Sequence, residues 1–96
     1  MVIEWSVLAI ADRESIFDYI QAENPQAAVA TDERIQKATA GLVTFPRSGR
    51  IGRVQGTREL VITGTPYLAA YRISRQKIRV LRLLHGAQQW PEQLPR

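Results

Sequence analysis

The sequence predicts an α+β domain in which a helical hairpin packs on a mostly antiparallel sheet, in the order β-α-α-β-β-β-β. Two observations carry that prediction. After a short apolar run at Val2–Trp5, the first half repeats apolar residues at helical spacing as far as Phe45-Pro46. The second half holds three short runs rich in Val, Ile, Leu and Tyr, at Leu60–Ile62, Tyr67–Ile73 and Ile78–Leu84. Gly64-Thr65-Pro66 and Ser74–Lys77 separate them, which is the pattern of consecutive antiparallel strands. A chain of 96 residues is too short for two separate cores, so one domain over 1–96 is expected.

Taken in order, Val2–Trp5 suits a strand, edge or central. Ser6 is placed to cap a helix over Val7–Glu23, with Ala9, Ile16 and Ile20 near helical spacing, Phe17 and Tyr19 alongside, and Asp12, Glu14 and Asp18 on the polar side. Asn24-Pro25 marks a second helix start, because Asn caps well and Pro is tolerated at the first helical position. This helix is expected to run to about Thr44 on a stripe of Ala28, Ile35, Ala38 and Leu42. Gly41 weakens its last turn and Phe45-Pro46 closes it. Helices joined this tightly form an antiparallel hairpin, and the sheet is the surface on which its apolar stripe can be buried.

Arg47–Gln55 is a Gly- and Arg-rich loop, expected to merge into a strand near Arg53–Gln55. It reads equally as a phosphate-contacting loop or as a solvated connector. It lacks the Gly-Lys-Ser/Thr ending of a P-loop. In the last run, strict alternation places Ile78, Val80, Arg82 and Leu84 on one face and Arg79, Leu81, Leu83 and His85 on the other. Arg58, Arg72, Arg75, Lys77, Arg79 and Arg82 then decorate the edges of the sheet. The tail from Gly86 to Arg96, with Pro91 and Pro95, reads as irregular, with Trp90 as its anchor.

The composition, 45% hydrophobic and 23% charged, is that of an ordinary globular domain. No apolar run approaches the roughly 20 residues of a membrane-spanning helix, and MVIEWSV has neither the basic nor the long apolar part of a secretory signal. A cytoplasmic protein with no membrane role is expected. With no cysteine and one histidine, no disulfide, metal site or cofactor is expected. The net charge of +4 is unevenly spread: residues 1–46 carry three basic and seven acidic side chains, residues 47–96 ten basic and two acidic. The second half is therefore suited to an anionic partner, nucleic acid or acidic protein, or to a solvated basic surface.

His85 is the one side chain whose unperturbed pKa lies near neutrality, and so the ready general acid or base. With Arg58, Glu59 and Arg79 it would make the catalytic set of a metal-independent nuclease. Equally, it ends a strand and bonds to backbone or tail. Arg58-Glu59 is either an active pair, the guanidinium fork clamping a phosphate while the carboxylate takes a proton, or an ordinary ion pair. Arg50, Arg53, Arg58, Arg72, Arg79, Arg82 and Trp90 are the candidate contacts to an anionic target or an acidic partner protein. The basic face has no interleaved aromatic side chains, so the signature of single-strand binding is missing.

Trp5-Ser6 with Ala9 and Asp12, Ile16 with Tyr19-Ile20, Asn24-Pro25 with Ala27-Ala28, Phe45-Pro46 with Gly49-Arg50, Arg58-Glu59-Leu60, Pro66-Tyr67, Tyr71-Arg72 and Leu81 to His85 together resemble the RelE/ParE superfamily of type II toxin–antitoxin modules. The resemblance implies a small cytoplasmic toxin that inhibits bacterial growth, acts in plasmid stabilization, and forms a hetero-oligomer with a cognate antitoxin. An amphipathic helix and an extended segment of that antitoxin would fill an apolar groove between sheet and hairpin. RelE-type members cut messenger RNA on the ribosome; ParE-type members poison DNA gyrase. Leu68 stands where RelE-type chains place a phosphate-contacting arginine, and a leucine cannot donate a hydrogen bond to a transition state. Gly86-Ala87-Gln88-Gln89-Trp90 lacks the Arg and Tyr common there in RelE, and the long helical hairpin is also closer to ParE. The resemblance thus favours a gyrase-poisoning toxin. The alternatives are a ribosome-associated endoribonuclease, or a plain interaction module that is no toxin.

Overall fold

A computed structural model describes residues 1–95; Arg96, the last residue of the expected tail, lies outside the described residues. The elements are β1 (Val2–Trp5), α1 (Val7–Gln21), α2 (Pro25–Ala40), β2 (Arg50–Ile51), β3 (Arg58–Val61), β4 (Tyr67–Ser74) and β5 (Lys77–His85). The expected order β-α-α-β-β-β-β is therefore present. The five strands lie in the order β1-β5-β4-β3-β2, antiparallel except for β1, which is an edge strand running parallel to β5.

Both helix starts are capped as the residue types require. Ser6 Oγ accepts from the Ala9 N–H, and Asn24 Oδ1 accepts from the Ala27 N–H with Pro25 at the first helical position. The second helix ends earlier than its apolar stripe suggests. At Ala40 it tightens into a 3-10 turn over Gly41–Val43, which still carries Leu42 into the core. Gly41 favours this loosening because it lacks a Cβ to hold the helical conformation.

Two corrections come from the sheet. The strand expected near Arg53–Gln55 forms instead at Arg50–Ile51, where Arg50 pairs with Glu59 and Ile51 with Arg58. The strict alternation expected for the last run breaks at a bulge: Ala70 pairs with Arg82 but Tyr71 pairs with Val80, so Leu81 is the extra residue. Leu83 consequently joins Val80 in the main core. The bulge sits where β1 gives way to α1. There Ser6 N–H donates to the Val80 carbonyl and Ser6 Oγ–H to the Leu81 carbonyl, 2.7 Å away. The edge of β5 beyond β1 would otherwise present unpaired groups; Asp12 of α1 accepts from the Leu83 N–H.

Ala9, Ile35, Ile62, Ala69, Val80 and Leu83 form the core between helices and sheet, and Leu42, Tyr71 and Ile78 form a second cluster beside it. Leu68, Ala70 and Leu84 alternate with these residues on the strands, face the other side of the sheet, and are buried too. Trp90 of the tail stacks there beneath Arg53.

Candidate functional site

Glu59 organises the far end of the sheet. It lies on β3 between the core residue Leu60 and Arg58, is 2% exposed, and turns its carboxylate toward the Arg47–Gln55 loop. Oε1 accepts from Arg50 Nε and Nη2 at 3.1 and 2.9 Å and from Arg53 Nη2 at 3.2 Å. Oε2 accepts from the Arg53 backbone N–H at 2.8 Å and from Arg53 Nε at 3.1 Å. Burial is the largest influence and opposes ionisation. The hydrogen bonds and charges of Arg53 and Arg50 together outweigh it, so the carboxyl titrates below the ordinary glutamate value. Arg53 in turn stacks on Trp90, its guanidinium carbon 3.7 Å from the ring centre. Arg50, Arg53, Glu59 and Trp90 are thus brought into one cluster.

Arg58 points to the opposite face of β3. Its Nη1 donates to the Gly49 carbonyl at 2.8 Å and more weakly to the Arg47 carbonyl at 3.4 Å. Tyr71, opposite Arg58 on β4, pins the same loop: its hydroxyl donates to the Pro46 carbonyl at 2.7 Å and accepts from the Gly49 N–H at 3.0 Å. Gly49 has to be glycine, since a Cβ there would lie 2.6 Å from that hydroxyl oxygen.

The remaining candidates are spread along the sheet. Arg79 pairs with Glu4 at 2.9 Å, and Arg82 pairs with Asp12 at 2.7 Å. The Asp12 hydrogen bond raises the Arg82 pKa despite partial burial. Arg72 donates to the Gly56 carbonyl at 3.3 Å. His85 ends β5 opposite Tyr67, their rings edge to face at 5.5 Å, and its Nδ1 accepts from the Ala87 N–H at 3.0 Å. Tyr67 is four residues along β4 from the partner of Arg58 and five from the partner of Arg79, which puts His85 about 13 and about 16 Å down the sheet from those rows. His85, Arg58, Glu59 and Arg79 are not gathered into one pocket.

Sequence reasoning missed Tyr71 and Asp12 as structural anchors, and Arg13, which forks onto Asp32 at 2.7 and 3.0 Å and lies over Trp5. Burial of Tyr71 was foreshadowed by its place in an apolar run; the partners of Asp12 and Arg13 come from other elements and leave no local signal. Two grooves flank the hairpin. One, of about 670 Å³, is lined by Trp5, Ile10 and Phe17 with Glu14, Asp18 and Asp32. The other, of about 760 Å³, lies between α2 and β3 and includes Ala38, Phe45, Leu60 and Val61 beside Arg34 and Lys37. Among the described residues no cluster of three His, Cys, Asp or Glu side chains is placed to hold a metal ion, and no helix is long and apolar enough to cross a membrane.

Residues 3–90 match the family described as the ParE toxin of type II toxin–antitoxin system, parDE. The chain belongs to the ParE toxin family. It is 41% identical over 92 residues to Y4kP, a candidate toxin of Sinorhizobium fredii, covering 96% of this chain and 95% of that one. It is 32% identical over 83 residues to Toxin RelE2 of Caulobacter vibrioides, covering 86% and 92%. A solved chain of the chromosomal ParDE TA system from P. aeruginosa superposes with a TM-score of 0.81 at 27% identity, over 88% of this chain and 95% of that one. This ParE-family protein is therefore the toxin of a type II toxin–antitoxin system, and an antitoxin is its partner.

Proposed function

We propose that this toxin inhibits bacterial growth by poisoning DNA gyrase, acting in the cytoplasm as a binding partner without bond-breaking chemistry of its own. The engagement of Glu59 is the observation that carries this reading. A general base needs a free lone pair and a pKa near the working pH. Glu59 instead accepts five hydrogen bonds and is held ionised by two arginines. His85 supports the same reading, because it lies far down the sheet from Arg58 and Arg79 and its Nδ1 is taken by the tail backbone. Leu68 is buried between Val61 and Leu84 and brings no donor to a phosphate.

The groove between α2 and β3 suits the antitoxin. Phe45 and Val61 are 68% and 52% exposed beside it, an apolar surface that a free toxin of this size would present to solvent. β2 pairs with Arg58 and Glu59 only, so the edge of β3 at Leu60 and Val61 is open to an added extended segment. Arg34 and Lys37 on the rim would pair with acidic side chains of an amphipathic helix lying in the groove.

The test is purified gyrase with supercoiled plasmid, run beside purified ribosomes with a defined messenger RNA. Toxin-dependent trapping of cleaved plasmid with intact message is expected. Cleaved message with unaffected gyrase would replace this reading with the endoribonuclease one.

A further inference from the structure

The arginines of the second half are not equivalent. Arg50, Arg53, Arg79 and Arg82 each pair with a carboxylate, Arg50 and Arg53 sharing Glu59 and Arg79 sharing Glu4 with Lys77. Among the described residues Arg47, Arg58, Arg72 and Arg75 form no ion pair; Arg47 and Arg58 share one pocket, Arg72 stands on the opposite face of the neighbouring strand, and Arg75 lies in the turn that follows it. Arg47 and Arg58 line a pocket of about 400 Å³ together with Ile51, Gly56, Thr57 and Ile73. Arg72 reaches the rim of that pocket through the Gly56 carbonyl. Arg75 occupies the two-residue turn between β4 and β5, two positions beyond Ile73, with a left-handed φ of 33°.

We infer that this corner, the pocket with Arg72 at its rim, is a binding site for the phosphodiester backbone of duplex DNA. Main-chain carbonyls fix Arg58 and Arg72 through Nη1 alone, which leaves the rest of each guanidinium fork free for anionic oxygens. With no carboxylate at hand, a bound phosphate displaces no existing ion pair. The pocket has no aromatic lining. Trp5 and Trp90 are already covered by Arg13 and Arg53, and Tyr71 is buried. Without a stacking platform the corner grips backbone and not unpaired bases, which favours duplex over single strands. An acidic peptide would want an apolar groove beside the charges, and the corner offers only Ile51 and Ile73. The inference deepens the gyrase reading and rests on it for the DNA that the target complex supplies.

The experiment titrates full-length purified toxin, without gyrase, into a short labelled duplex, a single-stranded RNA of the same length and a Glu-rich peptide, at several salt concentrations. Duplex binding should weaken with salt with a log–log slope of about −3 to −4. Arg47→Gln with Arg72→Gln should lower that slope by about 2 units, and the charge-matched pair Arg34→Gln with Lys37→Gln should leave it unchanged. Absent duplex binding at low salt, equal losses in both pairs, or stronger binding of RNA or peptide than of duplex would each overturn the inference. Gyrase trapping by the same variants separates the two ideas. Duplex binding that depends on Arg47 and Arg72 while wild-type toxin fails to trap gyrase overturns the gyrase reading alone. Trapping that persists without duplex binding overturns the inference alone.

Discussion

The two flanks of the sheet treat charge in opposite ways. On the flank that meets the helices, each cation that approaches the sheet has a carboxylate from a distant element: Arg82 has Asp12, and Lys77 and Arg79 share Glu4. On the far flank a single buried carboxylate, Glu59, serves Arg50 and Arg53, and the arginines beyond it are answered only by carbonyls or by solvent. A positive half-chain is therefore not a positive surface. Carboxylates of the first half, Glu4 and Asp12, answer the cations of β5, while the second half answers Arg50 and Arg53 with its own Glu59 and leaves Arg47 and Arg58 without a carboxylate.

Glu59 gives the largest expected effect on that contrast. Glu59→Gln keeps the shape but removes the charge that gathers Arg50, Arg53 and, through Arg53, Trp90. A loss of about 2–3 kcal/mol is expected, below the cost of stranding a fully buried charge because both arginines can turn to water. It is measured as a lower urea midpoint at unchanged m. Asp12→Asn should cost less, about 1–2 kcal/mol, because asparagine can still accept from the Leu83 N–H and Arg82 is only partly buried. Glu4→Gln should be the smallest effect, measurable at low salt and lost at high salt, since Glu4, Lys77 and Arg79 are all substantially exposed. A Glu4 effect equal to that of Glu59 would break the distinction between the flanks.

Acid sharpens the same comparison. Folding lowers the pKa values of Glu59 and of Asp32, whose shift comes chiefly from its hydrogen bond with Arg13. Each contribution is fully present above the ordinary carboxylate pKa and is lost as pH falls through the lowered folded value. Wild-type stability should therefore decline below about pH 4.5, and the decline should be shallower in Glu59→Gln. Urea midpoints across that range test it.

Much of the fold was legible because it rests on local signals. Ser6 and Asn24-Pro25 cap helices through their own side chains, and Gly64, with φ of 82°, turns the chain between β3 and β4. The bulge at Leu81 was hidden, since it answers the end of β1 some 75 residues earlier in the chain. The site residues were legible as residue types but not as partners. Arg58-Glu59 reads in sequence as one pair, yet alternation turns the two side chains to opposite faces, one toward the Gly49 carbonyl and the other toward Arg50 and Arg53. The uncompensated corner is a property of what remains after every ion pair has formed, which no local stretch encodes.

The central claim is that this toxin needs no general acid or base of its own. Induction of His85→Ala in bacteria, with soluble protein of wild-type melting temperature confirmed, tests it most directly. Growth arrest equal to that of the wild type is predicted. Folded His85→Ala protein that no longer arrests growth would contradict the claim and place His85 in chemistry.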